Sequence, residues 1–197
     1  MKEIRVAATA VKLETREDGD EKIAGTASVF YNGSEETEYK LWSRTVEHIM
    51  PGAFTRAIAE GDDCVALFNH EPDNVLGRTP KTLRLKETKV GLEYEIDADD
   101  TTIANDVKRF IKRGDVRGSS FGFEVLEETW RHDDERDLDV REISEAKLYD
   151  VSPVTYPAYT GTDAQLRHQE VRSSYDKWKA NHDETVKCRE RMKELDK

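Results

Sequence analysis

Short segments in which apolar and polar residues alternate dominate the first half of this 197-residue chain, and this period-two pattern favours a fold built mainly from β-strands. Turn-forming stretches rich in Asn, Gly, Pro and Asp join the segments, for example at 32–34 and 71–74. The predicted strands are 4–13, 22–31, 40–46, 65–68, 82–86 and 91–98, and, later in the chain, 120–129 and 141–149. Mostly antiparallel β structure is therefore expected.

Two helices are predicted to interrupt the strands. The first begins at Pro51-Gly52 and runs to about Glu60, where Gly61 can end it. The second covers 101–112, because its apolar residues recur at helical spacing and Gly114 follows as a C-terminal stop. Strands with a few helices predict an α+β fold.

The composition changes at the end of the chain. From residue 163 to 197 the sequence is charged and helix-compatible, so a boundary is placed near Thr162. Residues 1–162 are predicted to be one domain, and 163–197 a charged tail that is helical or partly disordered. Val171, Tyr175 and Trp178 fall at helical spacing, which is typical of either a solvated helix or a docking face.

Charge and hydropathy disfavour several classes of function. The formal net charge is -11, and because 167–197 hold nine Lys or Arg against seven Asp or Glu, the first 166 residues carry -13. Such a body repels nucleic-acid phosphates, so no nucleic-acid partner is expected. No apolar run reaches the roughly 18 residues of a membrane span, and no signal peptide is evident, which predicts a cytosolic protein without a membrane partner. Cys64 and Cys188 suggest neither a disulfide framework nor a zinc site.

Histidine is the usual general base near neutral pH, so the five histidines are the first candidates for catalysis. His70 ends the apolar run 65–69 and precedes a turn, a position from which a rigid sheet can aim a side chain into a cleft. A half-buried structural histidine is the alternative. His48 precedes a predicted helix and is a weaker candidate.

A glycine-rich segment, 113–123, carries the candidate nucleophile. Its glycines allow backbone amides to turn towards a developing oxyanion, and its phenylalanines can anchor the strand that presents a serine. The alternative is a glycine-rich turn that leads into a strand. A serine needs a base in reach to act as a nucleophile, so Ser119 or Ser120 with His70 is the minimal arrangement.

A carboxylate that orients the imidazole would complete the set. Asp150 is the first choice because it interrupts an otherwise apolar strand, and Glu142 and Glu145 on the preceding segment are the alternatives.

Six segments in fixed order resemble the tailed-bacteriophage prohead protease family. They are Gly25–Tyr31, Ile49–Phe54, Phe68-Asn69-His70-Glu71-Pro72, Leu76–Thr79, Gly114–Phe123 with its Ser-Phe-Gly-Phe motif, and Leu148–Tyr159. Each segment is short, but together they cover about residues 20 to 165. The tail beyond residue 163 lies outside this resemblance.

The resemblance implies a fold and a function. It implies a mostly antiparallel β-barrel core with flanking helices, related to the herpesvirus capsid maturation proteases. It also implies that His70 and Ser120 are the catalytic pair, with Ser119 as the adjacent rival. Many relatives place an acid where Asp150 stands, whereas the herpesvirus enzymes use a second histidine, for which His48 is the candidate here.

The same resemblance implies a serine endopeptidase that cleaves scaffold or major capsid protein inside the assembling prohead, in the host cytoplasm. Self-cleavage and a homodimer are further expectations, and the chemistry needs no cofactor or metal. The main rival is a catalytically inactive capsid-assembly or scaffold-binding domain on the same fold.

Overall fold

Two β-sheets and three helices make up the computed structural model, which describes residues 2–16, 19–98, 100–156 and 163–195. The strands are β1 Glu3–Ala10, β2 Lys12–Thr15, β3 Glu21–Val29, β4 Tyr39–Trp42, β5 Thr45–Ile49, β6 Val65–Leu67, β7 Val75–Arg78, β8 Leu83–Glu87, β9 Gly91–Ile96, β10 Gly118–Asp133 and β11 Leu138–Val154. The helices are α1 Thr55–Glu60, α2 Thr102–Arg113 and α3 Asp163–Leu195, and Glu35–Thr37 form one 3-10 turn. The prediction of an α+β chain rich in strands is confirmed.

The larger sheet has seven strands in the order β1-β10-β11-β5-β4, and β6 pairs with β11 and β7. The smaller sheet has the order β2-β3-β9-β8. Most pairs are antiparallel, but β11 is parallel to both β5 and β6. The two sheets do not close into a barrel in the described part of the chain, so the barrel core is not confirmed.

The predicted single strand 4–13 is in fact two strands that belong to different sheets. β1 pairs with β10 in the larger sheet, and β2 pairs with β3 in the smaller one. Between them Val11 is buried, and its N–H donates to the Arg117 carbonyl at 3.2 Å. The chain thus changes sheets at Val11, as strands do at the corners of packed sheets. The prediction 40–46 likewise splits, into β4 and β5.

The interior lies between apolar faces of strands and helices. Phe121 and Phe123 are fully buried and stack with ring centroids 4.7 Å apart, and Phe54 meets Phe121 edge to face at 5.6 Å. Side chains alternate between the two faces of a strand. Since Phe121 and Phe123 face the core, the even-numbered side chains next to them on β10 lie on the opposite face.

The two predicted helices of the first unit are present with shifted starts. α1 begins at Thr55, since 51–54 form a turn, and it ends at Gly61, whose φ of 74° is left-handed. In α2 the Thr101 hydroxyl accepts a hydrogen bond from the Ala104 amide at 3.2 Å, and Gly114 ends the helix with φ of 81°. Both glycine stops agree with the sequence prediction.

The chain divides into two compact units, Met1–Tyr159 and Thr160–Lys197. The described part of the second unit is the helix α3, and the predicted boundary near Thr162 lies outside the described residues. Within α3, the rings of Tyr175 and Trp178 are 5.9 Å apart. None of the described helices combines the length and apolar character needed to cross a membrane.

Candidate active site

Ser120 lies in the middle of the larger sheet, on the face away from the core. It is directly opposite Ser152 of β11 and Val6 of β1, so β10 is paired on both sides of it. Backbone groups of a strand paired on both edges are directed along the sheet. The expected turning of glycine-rich backbone towards an oxyanion is therefore not seen at Ser120, and the segment is a strand from Gly118 onwards.

His70 lies in the turn that follows β6, and both it and Asn69 have left-handed backbone angles, with φ of 60° and 56°. Such angles are costly for residues other than glycine, although Asn tolerates them better than most. Asn69 is fixed to the end of β11. Its backbone N–H donates to the Pro153 carbonyl at 3.1 Å, and its side-chain Oδ1 accepts from the Thr155 backbone N–H at 2.9 Å. This clamp holds the turn and so places the imidazole over β10.

The structure brings His70, Ser120 and Asp150 together in one series. His70 Nε2 lies 2.6 Å from Ser120 Oγ, and His70 Nδ1 contacts Asp150 Oδ1. The Ser120 hydroxyl also lies 2.9 Å from the Arg5 carbonyl oxygen, a second acceptor for its proton. With the proton on Nδ1 facing the carboxylate, Nε2 is free to accept the serine proton.

Ser119 points the other way. It is fully buried, and its Oγ lies 2.9 Å from the Tyr94 hydroxyl inside the core. A Cβ on Gly25 would lie 2.8 Å from that Oγ, so glycine leaves room for the pair. Of the two serines, Ser120 is the one that contacts His70.

The alternative third members lie elsewhere. His48 Nε2 is 2.9 Å from Glu38 Oε1, and the His48 ring stacks on Tyr31 at 3.5 Å. Glu142 accepts a hydrogen bond from Arg131 at 2.7 Å, and Glu145 contacts Arg56. None of these three is among the contacts of His70 or Ser120, whereas Asp150 contacts His70 directly.

Asp150 is almost fully buried, with 2% of its side chain exposed. Burial raises the pKa of this carboxyl, but the hydrogen bond and charge of His70, followed by those of Lys2, outweigh it and hold the pKa below its ordinary value. Ser152 donates to Asp150 Oδ1 at 3.1 Å and lies 3.3 Å from His70 Nδ1. The carboxylate is thus ionised and oriented towards the imidazole.

Sequence reasoning did not assign several residues of the site. Ser152 was within reach, since residues two apart on a strand share a face and Asp150 was already a candidate. Asn69 lies in the Phe68–Pro72 segment of the resemblance, but no role was predicted for it. Lys2, whose Nζ lies 2.6 Å from Asp150 Oδ2, has no local sequence signal.

Metal ligands are not assembled here. Within the ranges that the structure describes, no group of three or more His, Cys, Asp or Glu side chains is placed to hold a metal ion. Cys64, which is buried, and Cys188, which is exposed, are both free thiols.

A hydroxyl, an imidazole and a carboxylate in series form the arrangement that serine hydrolases use, and here it is built on one face of a mixed β-sheet. Comparison with family models places the chain more narrowly. It belongs to the caudovirus prohead serine protease family, whose model matches residues 9–177. The match extends beyond the resemblance seen in the sequence and includes the first part of α3.

A search of curated proteins finds no match. Among solved structures, the chain is similar to the bacteriophage T4 capsid assembly protease, gp21, with a TM-score of 0.47 and 10% sequence identity over 78% of this chain and 97% of that one.

Proposed function

We propose that this protein is a serine endopeptidase in which Ser120 is the nucleophile, His70 the general base and Asp150 the residue that orients the imidazole. The observation that carries the proposal is the unbroken series of contacts from Ser120 Oγ through His70 to Asp150. Family membership supports the reaction class, and the contacts among the three side chains support their proposed roles.

In the proposed reaction, Ser120 Oγ attacks the carbonyl carbon of a peptide bond while its proton passes to His70 Nε2. Ionised Asp150 stabilises the imidazolium that results. Collapse of the tetrahedral intermediate breaks the C–N bond, and His70 gives its proton to the leaving amine. Water then attacks the acyl group on Ser120 with the same proton path, releasing the acid and restoring the hydroxyl.

The proposed substrates are segments of scaffold or major capsid protein inside the assembling prohead, within the host cell. This follows from the family, which is one of prohead proteases. Residues 1–162 are proposed to be the catalytic domain. Confinement in a shell raises the effective concentration of enzyme and substrate, which lowers the need for tight recognition of a cleavage sequence.

The test uses two assays on the full-length protein. The first is labelling by a fluorescent alkyl fluorophosphonate, with mass spectrometry to locate the adduct. The second is processing of co-expressed scaffold and capsid proteins, followed on gels that also report self-cleavage of the protease. Ser120→Ala and His70→Ala are expected to abolish both, and Ser119→Ala, the matched control, to abolish neither.

Undiminished processing by Ser120→Ala would overturn the assignment of the nucleophile. A wild-type protein that is folded, takes no label and processes nothing in an assembling prohead would favour the inactive capsid-assembly domain instead. Sedimentation of the purified protein tests the expected homodimer separately.

A further inference from the structure

Lys2 reaches the side of Asp150 that His70 does not use. Its Nζ lies 2.6 Å from Asp150 Oδ2, while Oδ1 faces His70 and Ser152. Within the described part of the chain, Lys2 Nζ is the polar group that reaches Oδ2, so the ion pair with Lys2 is the interaction that compensates its charge. Lys2 precedes the region that the family model matches, residues 9–177.

The path of the Lys2 side chain depends on a glycine. Ile4 of β1 is opposite Gly122 of β10, and Gly122 is opposite Asp150 of β11. A Cβ at residue 122 would lie 2.4 Å from Lys2 Cε and 2.1 Å from Asp150 Oδ2. Because residue 122 has no side chain, the Lys2 ammonium and the Asp150 carboxylate can meet in the space above it.

Strand β1 is also held firmly in register. Arg5 donates from Nε to Glu47 Oε1 at 2.6 Å, and Arg141 donates from Nη1 to Glu3 Oε2 at 2.9 Å. These bonds tie β1 to β5 and β11 on the core-side face, opposite the face that carries Ser120. Lys2 directly precedes this anchored strand, so its position is fixed even though 39% of its side chain is exposed.

We infer that Lys2 is a positioning residue of the active site: its ammonium holds Asp150 Oδ2 and thereby keeps Oδ1 turned towards His70 Nδ1. This inference rests on the proposed function. Without Lys2, a buried carboxylate oxygen is left without compensation, and the carboxylate is free to rotate away from the imidazole.

Several titratable groups of the described residues lie near Asp150. They include His70 from the turn after β6, Lys2 immediately before β1, and the Cys64 thiol ahead of β6, whose pKa burial raises so that it stays neutral. Asp62 and Asp63 lie near Cys64 and add negative charge. Lys2 is thus a main source of the positive charge that keeps Asp150 ionised.

The experiment measures the second-order rate of fluorophosphonate labelling at Ser120 as a function of pH, for the full-length wild type and three variants. Lys2→Met removes the charge, Lys2→Arg keeps it, and Lys12→Met is the matched control, because Lys12 pairs with Glu14 on an exposed surface. Unfolding of each variant in urea is measured in parallel.

Lys2→Met is expected to lower the labelling rate about three- to tenfold. It is also expected to move the ascending limb of the pH profile to higher pH, because removing a positive charge beside the coupled His70–Asp150 pair favours the protonated state of that pair. Lys2→Arg should restore most of the rate, and Lys12→Met should match the wild type.

A Lys2→Met profile that superimposes on the wild type would overturn the inference, and so would a loss in rate that merely follows a loss in stability without any shift of the limb. Ser120→Ala separates the two proposals. If it abolishes labelling while Lys2→Met has no effect, the proposed function stands and only the role of Lys2 fails.

Discussion

Gly122 stands directly opposite Asp150 in the β10–β11 ladder, and a Cβ on it would lie 2.1 Å from Asp150 Oδ2. Real Cβ atoms do not approach other atoms this closely. The glycine of the Ser-Phe-Gly-Phe motif therefore has a steric role that is distinct from backbone flexibility: it leaves the volume that the buried carboxylate fills.

Gly122→Ala is accordingly expected to displace Asp150 and to lower the rate of fluorophosphonate labelling about 100-fold, since a displacement of about 1 Å can cost that much. The check is a double-mutant cycle with Asp150→Asn. If the glycine acts through Asp150, the double variant is no slower than the slower single one. Additive losses, or an unchanged rate in Gly122→Ala, would contradict this role.

Ser119 and Tyr94 form a buried pair that serves stability. Ser119→Ala and Tyr94→Phe are each expected to lower the free energy of unfolding by about 1 kcal/mol, the usual net worth of a buried hydrogen bond. The labelling rate should stay at the wild-type value in both. Urea unfolding with the double variant checks the coupling, and a large loss of labelling in Ser119→Ala would show that the two serines had been assigned the wrong way round.

Asn69 is expected to matter through its backbone conformation and its bonds to Thr155. Asn69→Ala loses the side-chain hydrogen bonds and leaves an alanine in the left-handed backbone conformation at φ of 56°, which is costly for alanine. Asn69→Gly also loses the hydrogen bonds, but glycine adopts this φ without strain. Both should label about tenfold more slowly, because His70 is no longer clamped. The alanine variant should be less stable than the glycine variant by about 1 kcal/mol. Wild-type labelling in both variants would show that the clamp does not position His70.

Local patterns in the sequence predicted most of the strand regions and both helix stops, because alternation and glycine act within a few residues. The choice between the serines came from the resemblance, although strand alternation could have supported it: Phe121 and Phe123 share the parity of Ser119, which places Ser119 on the core side. The resemblance named His70 and Asp150, which local reasoning left among alternatives.

What the sequence could not predict depends on partners distant along the chain. The change of sheet at Val11 follows from which strands pair: β1 pairs with β10, more than a hundred positions away, whereas β2 pairs with β3, which follows it directly in the chain. β7 was missed because its four residues, Val75–Arg78, are too few to show a period. Nothing in the residues around Lys2 indicates a role for it, because its contact with Asp150 depends on the pairing of β1 with β10.

The buried ion pairs that anchor β1 give stability a specific dependence on pH. Burial raises the pKa of Glu3, but the hydrogen bond from Arg141 and the charge of Arg5 prevail and hold it below its ordinary value. The unfolded carboxyl thus binds its proton at higher pH than the folded one. The stabilisation is complete above the unfolded pKa of about 4.3 and is lost as the pH falls through the lower, folded value.

Glu3→Gln is therefore expected to lower the free energy of unfolding by about 2 kcal/mol at pH 7. It should also flatten the loss of stability between about pH 5 and pH 3, because the variant has no carboxyl there to protonate. Glu14→Gln is the matched control: Glu14 pairs with Lys12 at 2.7 Å on an exposed surface, and its loss should cost less than about 1 kcal/mol. Urea titrations at several pH values provide the measurement. Equal losses in the two variants, or an unchanged pH dependence in Glu3→Gln, would show that the Glu3–Arg141 pair does not anchor the strand that carries Lys2.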